Sequence, residues 1–298
     1  MLSINSNFLK INLIIVYNKT KRMTRGGWIV EELIGKVQKL IKPSKGTWGI
    51  VLEDLNTGEK WEHNEQELFY AASVIKVPIM TAVFKAVESQ QLSLTDLVRL
   101  EKDKYVGGSG VLQHLTTGTS LPLLDIMLLM IIQSDNTATN LLIDLVGVEN
   151  IQQTMKEAGM EYSTFYNKLM LSKPNPLGSN RIAAKDVGIL LSKMAQGQLV
   201  SEQASKQMID MLKKQQVRDC LPEKLPSPYS NFNNGMPAWE FANKTGWIPG
   251  TRHDVGVFFV GNRKLVATVL SEKEDDILSK RILSQIGYEI YQYLCKEV

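Results

Sequence analysis

At 298 residues, with ordinary apolar and charged fractions, the chain is long enough to bury one large core or two smaller ones. Its formal charge of +3 (34 basic minus 31 acidic residues) is spread along the sequence, and no basic block alternates with aromatics, which argues against a nucleic-acid partner. His63, His114 and His253 lie far apart, and Cys220 and Cys295 form no C-x-x-C, so neither a metal centre nor a cofactor is expected.

In chain order, the first segment MLSINSNFLKINLIIVYNKTKRM carries the short apolar stretch LIIVY, interrupted upstream by Lys10 and Asn12. That is too short for a membrane span, and no small-residue cleavage site follows. We therefore read residues 1–27 as an extension, with Met23 as an alternative start, and expect a cytoplasmic protein without a membrane span. From Trp28 to Ile41, Val30, Leu33, Ile34, Val37, Leu40 and Ile41 recur at helical spacing. TWGIVLED and EKWEHN flank Asn56-Thr57-Gly58 and read as a β-hairpin.

After Ser73 the pattern turns helical. Ser120 and Pro122 read as a cap and a first-turn proline leading into LLDIMLLMII, which is apolar on nearly every side and predicts a helix buried all round. Four more helices follow: NTATNLLIDLVG, GVENIQQTMKEAG, AAKDVGILLSKMAQG and SEQASKQMIDMLKKQQ, the first three closing on a glycine. The Pro-, Asn- and Ser-rich stretch from Leu221 to Pro237 is where the chain is expected to cross back. TRHDVGVFFVGNRKLVATVLS then reads as two strands around Gly261-Asn262, and a last helix runs from about Asp275 to Lys296.

Strands so far apart most economically join one antiparallel sheet. The expected fold is α/β of the α+β type: a five-stranded antiparallel sheet flanked by helices, built from residues 28–70 and 235–298, with residues 71–234 inserted as a helical subdomain.

Three short segments carry chemistry. In AASVIKVP, Ser73 and Lys76 stand three residues apart and share a helix face, so the amine can reach the hydroxyl. A serine is a weak nucleophile until a base takes its proton, and a lysine serves if burial or a nearby cation disfavours its ammonium. One S-x-x-K arises easily by chance, and a solvated helix turn accounts for it equally well. Ser134-Asp135-Asn136 lies at a joint between helices, where it also suits an N-cap. Lys244-Thr245-Gly246 precedes the C-terminal hairpin, where an edge-strand turn is the plain alternative.

In this order and spacing, S-x-x-K, S-D-N and K-T-G are the known signature of class A β-lactamases and the related penicillin-binding proteins, and the chain resembles that family from about residue 28 to its end. The resemblance implies that Ser73 is acylated and that Lys76 accepts or relays its proton. It implies that Ser134 passes a proton to the leaving nitrogen and Asn136 binds the substrate's side-chain amide. Lys244, Thr245 and Gly246 would serve the substrate carboxylate, with backbone N–H groups of Ser73 and Trp247 as the oxyanion hole. Arg252 falls where a forked pairing with that carboxylate is expected, although a surface arginine on a strand is the plain alternative. Trp247 would narrow the pocket, stack on the substrate, or simply pack under the sheet edge. The implied partner is a small β-lactam, or a related amide or ester, bearing a carboxylate, taken by a monomer.

One element of the family pattern is missing. Hydrolytic members carry a glutamate in E-x-x-L-N after the second motif, and the matching region here is GMEYSTFYNKLMLSKPNPLGSNRIAAKD. Anchored on Gly159 and the helix AAKDVGILL, it sets Asn167 at the glutamate position and Leu171 at the asparagine position. Glu161 is the nearest carboxylate. An amide is no base near neutral pH, so acylation without ready deacylation is expected. A D-alanyl peptidase or esterase, a serine glutaminase, and a sensor that is acylated without turnover are the alternatives.

Overall fold

The computed structural model describes residues 25–170, 175–229 and 237–296. Helix α1 (Arg25–Ile41) starts before Trp28, and the hairpin β1 (Thr47–Asp54) and β2 (Lys60–His63) follows it. The C-terminal strands β7 (Glu240–Ile248), β8 (Thr251–Val260) and β9 (Arg263–Glu272) complete one antiparallel sheet in the order β2-β1-β9-β8-β7. Strand β9 lies beside β1, so the two ends of the chain meet in the middle of the sheet. The expected five-stranded antiparallel sheet is observed.

Each face of the sheet has its own core. Leu33 and Val37 of α1 and Ile282, Leu283, Ile286 and Ile290 of α8 (Asp276–Cys295) pack on Trp48, Ile50, Phe241 and Phe258. The opposite face, with Val51, Val255, Val257 and Val266, joins the larger core of the helical region. That region holds α2 (Lys76–Glu88), α3 (Leu123–Ile132), α4 (Asn136–Val146), α5 (Val148–Ala158), α6 (Ala184–Ala195) and α7 (Glu202–Lys213). Alternation of side chains along β7 therefore gives Ala242, Lys244 and Gly246 to the helical side, and Phe241, Asn243 and Thr245 to the α8 side.

Two expectations are corrected here. Ser120 and Pro122 belong to the short strand β5 (Ser120–Pro122), paired with β4 (Leu97–Arg99). Pro122 is thus the residue before helix α3, where its fixed φ ends the strand, and Ser120 makes no cap. Helix α3 is not buried all round either: Leu123, Ile126, Met127, Met130 and Ile131 are buried, while Leu124 is exposed. A further short pairing that periodicity does not reveal joins β3 (Leu68–Tyr70) to β6 (Arg181–Ala183).

Two polar clamps hold the sheet to its surroundings. Asp54, at the end of β1, accepts from Tyr293 Oη (2.6 Å) and Arg263 Nη2 (2.6 Å), tying α8 to the β1 and β9 ends. Burial works against its charge, but these donors and the N–H groups of Asn56 and Thr57 hold its carboxyl below the usual range. Removing a member that leaves the carboxylate one donor short costs less than removing the charge opposite a half-buried arginine. We expect Tyr293→Phe to cost about 1–2 kcal/mol and Asp54→Ala about 3–5 kcal/mol in urea denaturation. Equal losses would contradict this account.

The second clamp is His253 of β8, fully buried. Its Nε2–H donates to the Tyr70 carbonyl (2.8 Å) and its Nδ1 accepts from Ser271 N–H (3.1 Å), so the neutral ring pins β3 to the sheet. Burial pushes its pKa down to about 4, against the pull of its backbone hydrogen bonds. Between pH 4 and 6.5 the unfolded chain binds the proton that the folded ring refuses, so this stabilisation is full above pH 6.5 and is lost as pH falls. The stability advantage over His253→Gln should shrink by about 2–3 kcal/mol between pH 7 and pH 4.5. Groups common to both proteins cancel in that difference, and a constant gap would refute the buried neutral imidazole.

Candidate active site

Tyr70 ends β3, and the chain then turns through a short 3-10 segment, Ala72–Ile75, directly into α2. Ala72 takes a left-handed conformation (φ 42°), which non-glycine residues adopt at a cost of about 1 kcal/mol. Ser73 thus stands at the mouth of a helix whose first residue is Lys76. Lys76 is fully buried, with Nζ 3.1 Å from Ser73 Oγ. The pair expected from the sequence is in hydrogen-bond contact.

The second segment closes on the same amine. Lys76 Nζ donates to the Ser134 carbonyl (2.6 Å) and Asn136 Oδ1 (2.9 Å), and lies 3.0 Å from Ser134 Oγ. Ser134 is the other left-handed residue of the site (φ 53°), and this turn presents both its carbonyl and its hydroxyl to the lysine. Asp135 caps α4 through Ala138 N–H (2.9 Å) and also holds Val111 and Leu112 N–H (2.6 and 2.8 Å), so its oxygens are spent on backbone. Asp135 thus caps the helix, while Ser134 and Asn136 of the same triplet are brought to Lys76.

The third segment comes from the sheet edge. The K-T-G residues lie within β7 itself rather than in a turn before the hairpin. Lys244, fully buried, places Nζ 3.2 Å from Ser134 Oγ and donates to the Thr245 carbonyl (2.8 Å). Gly246 faces the nucleophile segment: a Cβ there would meet Ala72 Cβ and Val74 Cγ2 at 3.2 Å and His253 Cδ2 at 3.3 Å, so β7 approaches this closely only with glycine. The free edge of β7 presents alternate peptide groups outward. The Asn243 carbonyl takes Gln215 Nε2 (3.2 Å), the Thr245 carbonyl takes Lys244, and the Trp247 N–H is next in that row.

Electrostatics decides which amine is neutral. Both ammonium positions lie about 3 Å from one hydroxyl oxygen, so they are within about 6 Å of each other. Two charges at that separation repel by roughly 3 kcal/mol at an effective dielectric of 20. Burial, then the Lys244 charge, lowers the Lys76 pKa well below that of a free lysine, with Asp135 opposing. Burial brings Lys244 down to about 7, against the pull of Asp254. A neutral Lys76 keeps two N–H donors for its two carbonyl-type acceptors and a lone pair for a hydroxyl proton. That is the state in which it can deprotonate Ser73.

Other expected residues sit elsewhere. Trp247 and Arg252 are directly opposite in the β7–β8 register and share the α8 face. The indole is 55 % exposed, donates to Asp276 Oδ2 (3.2 Å), and stacks under the Arg252 guanidinium at 5.7 Å. Arg252 Nη1 reaches Asp219 (3.5 Å), and its buried Nε has no partner among the described residues. Thr245 is buried on that same face.

Asn167, set opposite the nucleophile by the sequence alignment, is corrected. Its Nδ2 donates to the Gly178 carbonyl (2.6 Å), its Oδ1 accepts from Asn175, and its backbone is held by Asn180, so it is spent within its own loop. Glu161 is exposed, with its N–H on Asp186. Leu171 lies outside the described residues. The segment that borders the site is Leu169–Met170. Asn140, one turn beyond Asn136 in α4, accepts from Leu169 N–H (2.8 Å) and donates to its carbonyl (3.0 Å). Met170 reaches Gly108, which the Asn136 amide also adjoins. Asn140 and Asn180 are the positioning residues that sequence reasoning missed. The one available signal was the i, i+4 spacing of Asn136 and Asn140.

Comparison with known proteins agrees with this geometry. A β-lactamase of Rhodobacter capsulatus is 32 % identical over 131 residues, a match covering 44 % of each chain. One of Bacillus amyloliquefaciens is 25 % identical over 261 residues, 85 % of this chain and 78 % of that one. Among solved structures, the β-lactamase of Sphaerobacter thermophilus superposes with a TM-score of 0.79 at 31 % identity, covering 88 % of this chain and 96 % of that one. PBP-A superposes at 0.76 with 28 % identity, covering 88 % and 95 %. The beta-lactamase enzyme family matches residues 32–294, and with the β-lactamase fold and the three converging segments in place, the chain belongs to that family.

Proposed function

We propose that the protein is a serine-acylating hydrolase that takes a β-lactam, or a related amide or ester bearing a carboxylate, and releases the acyl group slowly. The observation that carries this reading is the Lys76 environment. Its partners are Ser73, Ser134 and Asn136, and among the described residues no carboxylate contacts it.

The steps follow from those contacts. Lys76 takes the proton as Ser73 Oγ bonds to the substrate carbonyl carbon, and backbone N–H groups of Ser73 and Trp247 receive the negative oxygen. The carbon–nitrogen bond then breaks, and the nitrogen takes a proton from Ser134 Oγ, which Lys76 replenishes. Lys244, as the ammonium beside Ser134, favours this transfer and attracts the substrate carboxylate. Trp247 is exposed at the end of β7 and packs under the Arg252 guanidinium.

Deacylation needs a water and a base. Where hydrolytic relatives hold a glutamate, this loop offers Leu169, whose backbone Asn140 grips, and Met170, which adjoins Gly108, and neither side chain accepts a proton. A leucine-to-glutamate variant of PBP-A has been solved as an acyl-enzyme complex with penicillin G, which supports acylation on this scaffold.

Intact-protein mass spectrometry after mixing with a penicillin should show the added acyl mass persisting for minutes, and none on Ser73→Ala. Immediate return to the unmodified mass at high turnover would overturn slow release, and no adduct at all would overturn β-lactam acylation. Leu169→Glu should speed loss of that adduct by about 100-fold, the scale of one positioned general base. An unchanged lifetime in a folded Leu169→Glu protein would mean that the deacylating water lies elsewhere.

A further inference from the structure

Asp254 of β8 is fully buried, and the chemistry above makes no direct use of it. In the β7–β8 register it stands opposite Thr245, so its side chain shares the α8 face with Thr245, while Lys244 emerges on the other face. Two neutral donors hold it: Asn243 Nδ2 on Oδ1 (2.8 Å) and Leu221 N–H on Oδ2 (3.0 Å). The Asn243 amide is turned so that its Nδ2 meets the carboxyl, and its own buried Oδ1 has no partner among the described residues. That orientation serves an ionised carboxylate, at the cost of an unsatisfied oxygen. The Leu221 backbone that supplies the second donor is seated against α8 at Gly287, where a Cβ would fall 1.8 Å from the Leu221 carbonyl. The chain is thus built to bring a backbone N–H to Asp254.

We propose that Asp254 is a positioning residue for the reaction: from beneath the K-T-G strand its charge keeps the proton on Lys244, and the charged Lys244 in turn leaves Lys76 as the neutral base beside Ser73. The proposal rests on the functional reading above and adds what orders its two lysines.

The other groups around Asp254 do not substitute for it. On the loop before β7, Arg218 and Asp219 carry opposite charges, and Asp219 is engaged with Arg252 of β8 and Lys280 of α8. Cys220 is buried, which pushes its thiol up and leaves it neutral. His253, the neighbour on the opposite face, is held neutral by burial. Among the groups that raise Lys244, Asp254 leads and the neutral Cys220 follows, while Lys76 is the cation it repels. Burial pushes Asp254 up to about 7, with its two donors and Lys244 pulling the other way, so the two partners meet near neutrality.

The test is a pH titration of the protein labelled with 13C at the lysine ε carbon, followed by NMR. The Lys76 and Lys244 signals are assigned from the Lys76→Arg and Lys244→Arg proteins. In the wild type, Lys76 should titrate below Lys244. In Asp254→Asn the Lys244 midpoint should fall by about one unit or more, and that of Lys76 should rise as the repulsion between them is relieved. Opposite movement of two lysines is not what a merely loosened strand produces. The proposal is overturned if Lys244 titrates below Lys76 in the wild type, or if neither midpoint moves in a folded Asp254→Asn protein. Should that variant not fold, the wild-type order alone decides. These titrations read protonation and not acylation, so absent penicillin labelling with the order intact would sink the functional reading and leave this one standing.

Discussion

Two lysine side chains, both withdrawn from water, point at one serine hydroxyl, and the rest of the molecule is arranged around that fact. Lys76 comes from the helix after the nucleophile and Lys244 from the free edge of the sheet, and they meet at Ser134. Neither cation is comfortable there, because burial alone penalises each charge and proximity penalises the second. The strain is chemically useful. In the proposed reaction one amine gives up its proton and becomes a base, and the other stays a cation where negative charge develops. Each of the three segments is immobilised for this: the first by His253 on Tyr70, the second by the Asp135 cap, the third by the sheet.

Preorganisation of this kind explains why the site is assembled from three remote parts of the chain. The sheet closes only when β9 lies between β1 and β8, so the K-T-G strand is delivered to the helical region by long-range pairing. The hydrogen bond from His253 and the tight approach at Gly246 then fix the gap between strand and nucleophile within tenths of an ångström. A side chain at Gly246 would press on Ala72 and Val74 and reopen that gap.

Much of this was legible before any coordinates. The three motifs are contiguous, so each local spacing already states which residues share a face, and the hairpins announce themselves through Asn56-Thr57-Gly58 and Gly261-Asn262. The helices at 136–146 and 148–158 end at Gly147 and Gly159, while that at 184–195 is capped by Gln196, one residue before its glycine. What failed depended on partners far away. Ser120 and Pro122 look like a helix start until Arg99 is placed beside them as a strand partner. Helix α3 is apolar throughout, yet Leu124 still faces outward, because hydrophobicity does not tell which side is covered. Asn167 was aligned by counting residues along a loop. The real register is set by Asn140 and Asn180, whose amides grip the loop backbone, and no local pattern encodes that grip.

The loop and the buried carboxylate make complementary points about how this scaffold divides its work. The proposed acylation needs a neutral amine beside Ser73, and in the role proposed for Asp254 the sheet would supply the field that produces one. Deacylation needs a carboxylate near the acyl carbon, and that lies within the gift of a single loop side chain held by Asn140. The first requirement is built into the register of β7 and β8, where one slip would turn Lys244 to the wrong face. The second rests on one loop side chain, and such positions change without disturbing the core. In the proposed reaction, then, the strand register that sets Lys244 and the loop side chain that sets the lifetime of an acyl-enzyme are separable, and one can change without the other.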